Sequence, residues 1–346
     1  MRILFFILTC LIVVGTAFRA GAADPLPKLT LDPGATTVSG LSSGGFMAVQ
    51  LETAFSSAIA GAGIVAGGPY GCAEDSVYTA VYGCLVPPIW MSWWPGTNAE
   101  VTLRTIKRLE GKIDPTAGLV ADRIYLYHGQ SDDTVRRNSM DVLKEVYGKL
   151  NVPDANIRYV TDIDSGHGFL VEEGGVVCAV SEPDYINDCN TDQAGDILKW
   201  VYPGLQPPAN AGAVPDNLIE FDQSVYTENA AGMDTTGYVY IPASCRSGQT
   251  CRLHIALHGC QQGRQTIGDE YARTTGYNRW AESNGIVVLY PQAVKIDSTL
   301  FDPFAGNPKG CWDWWGYAGK DYLTRSAPQI AAIARMAKAV GAPLAP

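Results

Sequence analysis

The sequence is poor in basic residues, in histidine and, beyond its first 22 residues, in long apolar runs, and each shortage excludes something. Lys and Arg number 25 against 35 Asp and Glu, a formal charge of −10 over 346 residues. No basic run interrupts that excess, which argues against nucleic acid and anionic membrane surfaces as partners. Only four histidines occur, and no two cysteines are spaced C-x-x-C. A zinc site therefore has no ligand pattern to use, and neither a metal nor an organic cofactor is expected. There is no internal repeat, charge block or low-complexity tail.

The single long apolar run stands at the start, in "MRILFFILTCLIVVGTAFRAGA". Arg2, the apolar stretch Ile3 to Ala17 and the small residues Ala20-Gly21-Ala22 have the order of a secretory signal peptide. The run is short for a membrane span, and Arg19 interrupts it. Cleavage after residue 22 leaves 324 residues and, because Arg2 and Arg19 leave too, a charge of −12. The product is expected to be secreted, into the medium or a periplasm, as a soluble monomer with no membrane attachment. Without Cys10 the nine cysteines become eight, an even number suited to disulfides in an oxidising compartment. Eight cysteines allow about a hundred pairings. Near neighbours suggest Cys72–Cys84, Cys178–Cys189 and Cys245–Cys251, which leaves Cys260–Cys311.

Short β-branched runs alternate with helical patterns. Strands are expected in "TTVSG", "AGAGIVAGG", "RIYLYHG", "NIRYVTDI", "GYVYIP", "LHIALHG" and "GIVVLYP". Helices are expected over 45–57, 137–150, 192–201, 270–284 and 326–340. Continuous runs such as "IVVLY" suit strands buried on both faces of a largely parallel sheet, and the alternation indicates α/β architecture with helices on both faces. The Pro-, Ala- and Gly-rich stretch 202–217 reads as a connector.

Chemistry enters with "VSGLSSGGFMAVQLE", residues 38 to 52. Gly40, Ser42 and Gly44 form G-x-S-x-G between a strand and a helix, the pattern of a nucleophile elbow. Alone the pattern is weak, because a serine is activated only when a histidine takes its proton and a carboxylate holds that histidine. Both follow in order. "RIYLYHGQSDDTV" puts Asp132 and Asp133 just past a strand, one expected to orient a histidine and the other to cap a helix. Asp132 is the choice for the catalytic role, from the H-G-x-x-D-x-x-V pattern. "NIRYVTDIDSGHGF" then presents His167 between glycines, as from a mobile loop. His128 and His254 sit in strand-like runs and read as structural. The order Ser42, Asp132, His167 is that of α/β hydrolases.

One oxyanion amide would come from Ser43, the residue after the nucleophile; the other normally comes from a loop upstream. Only about twenty residues of the processed chain precede Ser42, too few for that strand and its loop. A fitting loop instead follows a strand near the C-terminus, in "LHIALHGCQQG". The chain thus reads as circularly permuted, with 202–217 joining the former ends inside one catalytic domain, 23–346.

Several segments together carry a family likeness: "SGLSSGGFMA", "AGGPYGCA", "MDTTGYVYIP", "LHGCQQ", "GYNRWAE", "LYPQA" and "NPKGCWDWWGY". They resemble the secreted poly(3-hydroxybutyrate) depolymerases, above all the single-domain, circularly permuted fungal type. The resemblance implies a Ser-His-Asp esterase acting on insoluble short-chain polyhydroxyalkanoate or on hydroxybutyrate oligomers. It implies the triad Ser42, Asp132 and His167, an oxyanion hole from the amides of Ser43 and Cys260, and a cleft-lining tryptophan at Trp314. Trp312 and His258 are expected as further substrate contacts, and a Cys260–Cys311 bridge would tie the oxyanion loop to the tryptophan wall. "LVPPIWMSWWPG", 85–96, has three tryptophans for either a core or an adsorbing surface. A secreted feruloyl- or acetyl-ester carboxylesterase is the alternative, since such enzymes also use an H-G-C oxyanion loop.

Overall fold

The computed structural model describes residues 23–208, 212–228, 230–297 and 306–344. The leader read over residues 1–22 lies outside them, as does part of the connector. Eleven strands are formed among the described residues: β1 (Leu31–Leu41), β2 (Ile59–Val65), β3 (Arg123–Tyr127), β4 (Ile157–Val160), β5 (Phe169–Val171), β6 (Val176–Val177), β7 (Ile186–Asp188), β8 (Leu218–Asp222), β9 (Thr236–Tyr240), β10 (Cys251–Leu257) and β11 (Ile286–Tyr290). Eight of them make one sheet in the order β4-β3-β2-β1-β10-β11-β9-β8. Pairing is parallel from β4 to β11 and antiparallel at β11–β9 and β9–β8.

Two stretches of chain, one on each side of the connector, supply the two halves of this sheet. They meet where β1 pairs with β10, from Thr36↔Leu253 to Gly40↔Leu257. In the unpermuted hydrolase order the oxyanion strand precedes the nucleophile strand. Here β10 comes two hundred residues after β1 yet lies against it. The architecture is a circularly permuted α/β-hydrolase fold.

The apolar runs are continuous because both faces of the strands are covered. Ile124 and Leu126 of β3, with Val287 and Leu289 of β11, pack against Met47 and Leu51 of the helix Ser43–Ala54 and Ile330 and Ile333 of the helix Pro328–Val340. Their alternates Tyr125, Tyr127, Val288 and Tyr290 face Ile197 and Leu198 of Gln193–Val201 and Trp280 of Tyr277–Asn284. The helix expected over 270–284 is in fact two, Glu270–Thr274 and Tyr277–Asn284. Gly276, at φ 91, separates them in a left-handed conformation that interrupts the helical ladder. Cys72–Cys84, Cys178–Cys189, Cys245–Cys251 and Cys260–Cys311 are all bonded.

The helix Ser43–Ala54 is buried along its whole length and carries a charge-bearing residue inside it. Glu52 accepts the hydroxyl of Tyr147 and faces Asp122, itself buried at the start of β3. Burial, then the neighbouring Asp122, pushes the Glu52 carboxyl well above its ordinary range; burial lifts Asp122 to about 7. Both folded values exceed the unfolded ones, so the native state holds protons that the unfolded chain has released. The Asp122 contribution is whole below about pH 4 and is lost as pH rises through about 7, at up to roughly 1.4 kcal/mol per pH unit for each retained proton. Glu52→Gln should still accept from Tyr147 while donating to an ionised Asp122. Its melting temperature is expected to exceed that of the unaltered protein at pH 8 and to lose this advantage at pH 4. Parallel melting profiles across that range would show that the pair is not titrating.

Candidate active site

β1 ends at Leu41 and a helix begins at Ser43, so the chain reverses on one residue. Ser42 accordingly sits at φ 56, ψ −121. A left-handed backbone at a non-glycine residue costs about 1–3 kcal/mol and persists only where its surroundings fix it. They do so here: the Ser42 amide donates to the Val65 carbonyl at 2.9 Å, and the Phe46 amide donates to the Ser42 carbonyl at 3.0 Å. The helix start also presses on the end of β10. A Cβ on Gly44 would fall 2.3 Å from the Leu257 oxygen and 2.5 Å from that of His258. Only glycine allows this approach.

The loop after β10 therefore lies beside the elbow. A Cβ on Gly259 would sit 3.4 Å from Ser42 Cβ. The Gly259 amide donates to Gln262 Oε1 at 2.6 Å, and the Gln261 amide to the Lys309 carbonyl at 2.7 Å. Among the described residues no backbone carbonyl accepts the amides of Ser43 or Cys260. Two uncommitted N–H groups next to a strained serine are what an oxyanion hole requires.

Asp132 follows β3 and His167 follows β4, so both reach the same rim of the sheet. His167 Nδ1 lies 2.9 Å from Asp132 Oδ2, with both side chains nearly free of solvent. The other carboxylate oxygen accepts the amides of Thr134 and Val135 at 2.9 and 3.0 Å. Burial alone would raise the Asp132 carboxyl; His167 and the Val135 amide outweigh it and hold it below its ordinary range. With Nδ1 facing Asp132, Nε2 is the ring nitrogen left over, and His167 lines the same cleft as Ser42. The expected division of labour between the two aspartates is not found. Asp132 orients the histidine and ties down its own loop, while Asp133 is exposed and takes the Thr134 hydroxyl at 3.3 Å.

His167 is not on a loose loop. β5, β7 and β6 form a small parallel sheet in that order, stapled by Cys178–Cys189, and the histidine leads into it. The His167 amide donates to Ser181 Oγ at 2.9 Å. A Cβ on Gly168 would overlap Asn187 Oδ1, at 1.8 Å. The glycine serves close packing.

Ser42 and His167 open into a cleft of about 350 Å³. Its apolar lining is Val77, Ala80, Val81 and Leu85, beside Cys72–Cys84, together with Trp314 and Trp315, which follow Cys311 of Cys260–Cys311. Ala80, Leu85 and both tryptophans belong to one packed cluster. Trp314 stacks on Phe46 of the helix that follows Ser42, with ring centroids 4.2 Å apart.

No family model matches the chain. It is 43% identical over 318 residues to the poly(3-hydroxybutyrate) depolymerase of Delftia acidovorans, covering 91% of this chain and 61% of that protein. It is 39% identical over 333 residues to the polyhydroxybutyrate depolymerase of Talaromyces funiculosus, covering 92% of this chain and 93% of that protein. The chain belongs to the poly(3-hydroxybutyrate) depolymerase family. The structure of the PHB depolymerase from Penicillium funiculosum superposes with a TM-score of 0.80 at 38% identity, over 91% of this chain and 98% of that one. A PHB depolymerase serine-to-alanine variant complexed with R3HB trimer gives the same TM-score at 37% identity and the same coverage.

Against this family background, two of the expected substrate contacts need correction. His258 and Trp312 are both completely buried and line no part of the cleft. His258 Nε2 accepts the Ala293 amide at 3.0 Å, which leaves Nδ1–H to donate to the Gly259 carbonyl at 2.6 Å. Burial lowers its pKa to about 4, so it stays neutral in this role. Trp312 donates through Nε1 to the His258 carbonyl at 3.0 Å. Both brace the loop after β10 from behind. His254 spans Thr37 and Ser39 across the β1–β10 pair, at 2.8 Å to each hydroxyl, and His128 donates to the Val135 carbonyl at 3.0 Å.

Sequence reasoning missed Gln262, which is buried beside the elbow. While accepting from Gly259, it donates to the carbonyls of Asp184 and Tyr185 at 2.8 and 3.1 Å. It thereby connects the loop after β10 to the excursion that follows His167. The 85–96 segment divides: Trp90 and Trp93 are 73% and 71% exposed beside an 87% exposed Ile89, whereas Trp94 is half-buried against Tyr82.

Proposed function

We propose that residues 23–346 form one secreted catalytic domain that hydrolyses short-chain polyhydroxyalkanoate, poly(3-hydroxybutyrate) or its oligomers, by acyl transfer to Ser42. The observation that carries this reading is the contact of Gly259 with Ser42, which brings an amide-bearing loop from one end of the chain to a serine from the other. Ser42 attacks the ester carbonyl as His167 Nε2 accepts its proton, and Asp132 stabilises the imidazolium that forms. The Ser43 and Cys260 amides receive the negative charge of the tetrahedral intermediate. The alcohol fragment leaves with the proton from His167, and water then releases the acyl fragment by the same steps in reverse.

The substrate side of the proposal rests on a cleft walled by aliphatic and indole groups. A neutral polyester offers no charge to pair with, so its hold must be apolar. Ile89, Trp90 and Trp93 stand exposed on the segment that continues from Leu85 at the cleft wall, and this is the face assigned to adsorption on solid polymer. The deciding experiment compares weight loss of a poly(3-hydroxybutyrate) film, turnover of the soluble trimer and turnover of an aryl feruloyl ester. The film and the trimer are expected to be consumed and the aryl ester spared. Trp90→Ser with Trp93→Ser is expected to slow film loss severalfold while trimer turnover holds. Efficient feruloyl turnover with an untouched trimer would overturn the polyester reading.

A further inference from the structure

Among the described residues that line the cleft of this acidic protein there is no Asp or Glu, and Lys309 is the single lysine or arginine. A neutral polyester requires no ammonium group. Its chain end does: each linear hydroxybutyrate oligomer ends in one carboxylate, the sole ionised group it carries near neutral pH. We infer that Lys309 forms a subsite for that terminal carboxylate. The inference rests on the functional reading above and deepens it.

The residue is held in place for this task. Its carbonyl accepts the Gln261 amide at 2.7 Å, one residue beyond Cys260. On its other side Asn307 is buried and grips Cys311 twice, accepting its amide at 2.8 Å and donating to its carbonyl at 2.6 Å. Cys311 is in turn bonded to Cys260. The backbone under Lys309 is therefore fixed to the oxyanion loop, while the side chain is exposed and, among the described residues, without an ion-pair partner. A four-carbon stem carries the ammonium from that base along the cleft mouth.

The chemistry says which step it serves. When Ser42 attacks an internal ester of an oligomer, the fragment bearing the hydroxyl end stays on the serine. The fragment bearing the carboxylate is the leaving alkoxide and takes its proton from His167. Lys309 thus favours acylation and the cleavage of oligomers near their carboxyl end, while the deacylation step never meets the carboxylate.

The test uses the hydroxybutyrate trimer as its free acid and as its methyl ester. In the unaltered protein at low salt, kcat/KM for the acid is expected to exceed that for the methyl ester by about fivefold, the scale of one exposed ion pair. In Lys309→Met the ratio should fall to about one, and Lys309→Arg should restore it. Added salt at about 0.5 M should collapse the ratio in the unaltered protein and leave it unmoved in Lys309→Met. An unaltered protein that shows no preference for the acid, or a preference that survives Lys309→Met, overturns the subsite and leaves the esterase reading intact. Turnover of neither trimer would overturn both.

Discussion

Ser42→Ala is expected to abolish hydrolysis of hydroxybutyrate trimer, and Asp132→Asn to lower kcat by about 10⁴-fold, the loss reported for an asparagine in the equivalent place of a serine triad. Neither change should cost much stability. Alanine tolerates the φ of 56 at position 42 no worse than serine does, and the Ser42 backbone bonds are unaffected. Asparagine keeps the oxygen that accepts the Thr134 and Val135 amides, so the loop after β3 stays tied. What changes is the partner of His167 Nδ1. An amide NH₂ in place of Asp132 Oδ2 turns the imidazole to the tautomer with its proton on Nε2, which cannot accept from Ser42. Asp133→Asn touches only an exposed carboxylate and should stay within a few-fold of the unaltered rate. Matching trimer kinetics with melting curves for the three variants checks this. If Asp133→Asn is the damaging change, or Asp132→Asn loses activity only in step with unfolding, the assignment of the acid is wrong.

The parts of this protein that sequence made legible are those where one residue type is forced. A serine at a strand-to-helix reversal needs glycine where the helix start meets β10, and G-x-S-x-G advertises that need. Carboxylate and histidine belong just past strand ends; the H-G-x-x-D-x-x-V pattern favours Asp132 over Asp133 and the scarcity of histidine favours His167, and the fold brings those two side chains within 2.9 Å. Even the permutation was readable, because a strand and H-G-C loop of the kind expected before Ser42 stand near the other end of the sequence, and that strand pairs with β1. Support and wall, however, look alike in a string of letters. "CWDWW" contains two indoles that line the cleft, Trp314 and Trp315, and one buried behind it, Trp312, and nothing in the letters says which is which. His258 was expected as a substrate contact alongside the family resemblance; its two ring nitrogens are in fact consumed by backbone. Strands of two and three residues, such as β6 and β7, are too short to show a period. The signal for Gln262 was weaker still. Gln261 and Gln262 are adjacent and identical, and only the fold sends one of them inward.

That inward glutamine carries the other large effect. The Gln262 carboxamide uses its oxygen on Gly259 and its nitrogen on two carbonyls of the 184–185 segment, so truncation strands three backbone groups at once. An unpaired buried polar group costs about 1–3 kcal/mol, and Gln262→Ala should lower the melting temperature accordingly. The catalytic loss should go beyond that. With Gly259 released, the following Cys260 amide is no longer aimed at the intermediate, and a lost oxyanion donor is worth about 10²–10³ in kcat. Ground-state binding draws on the cleft walls, so KM should change little. Gln262→Glu restores the acceptor for Gly259 but not the donor to Asp184 and Tyr185. It is expected to recover most of kcat while remaining less stable than the unaltered protein. Measuring kcat, KM and melting temperature on both variants separates the roles. A kcat that falls only in proportion to the unfolded fraction, or that stays as low in Gln262→Glu as in Gln262→Ala, would mean that Gln262 holds the fold together without aiming the oxyanion loop.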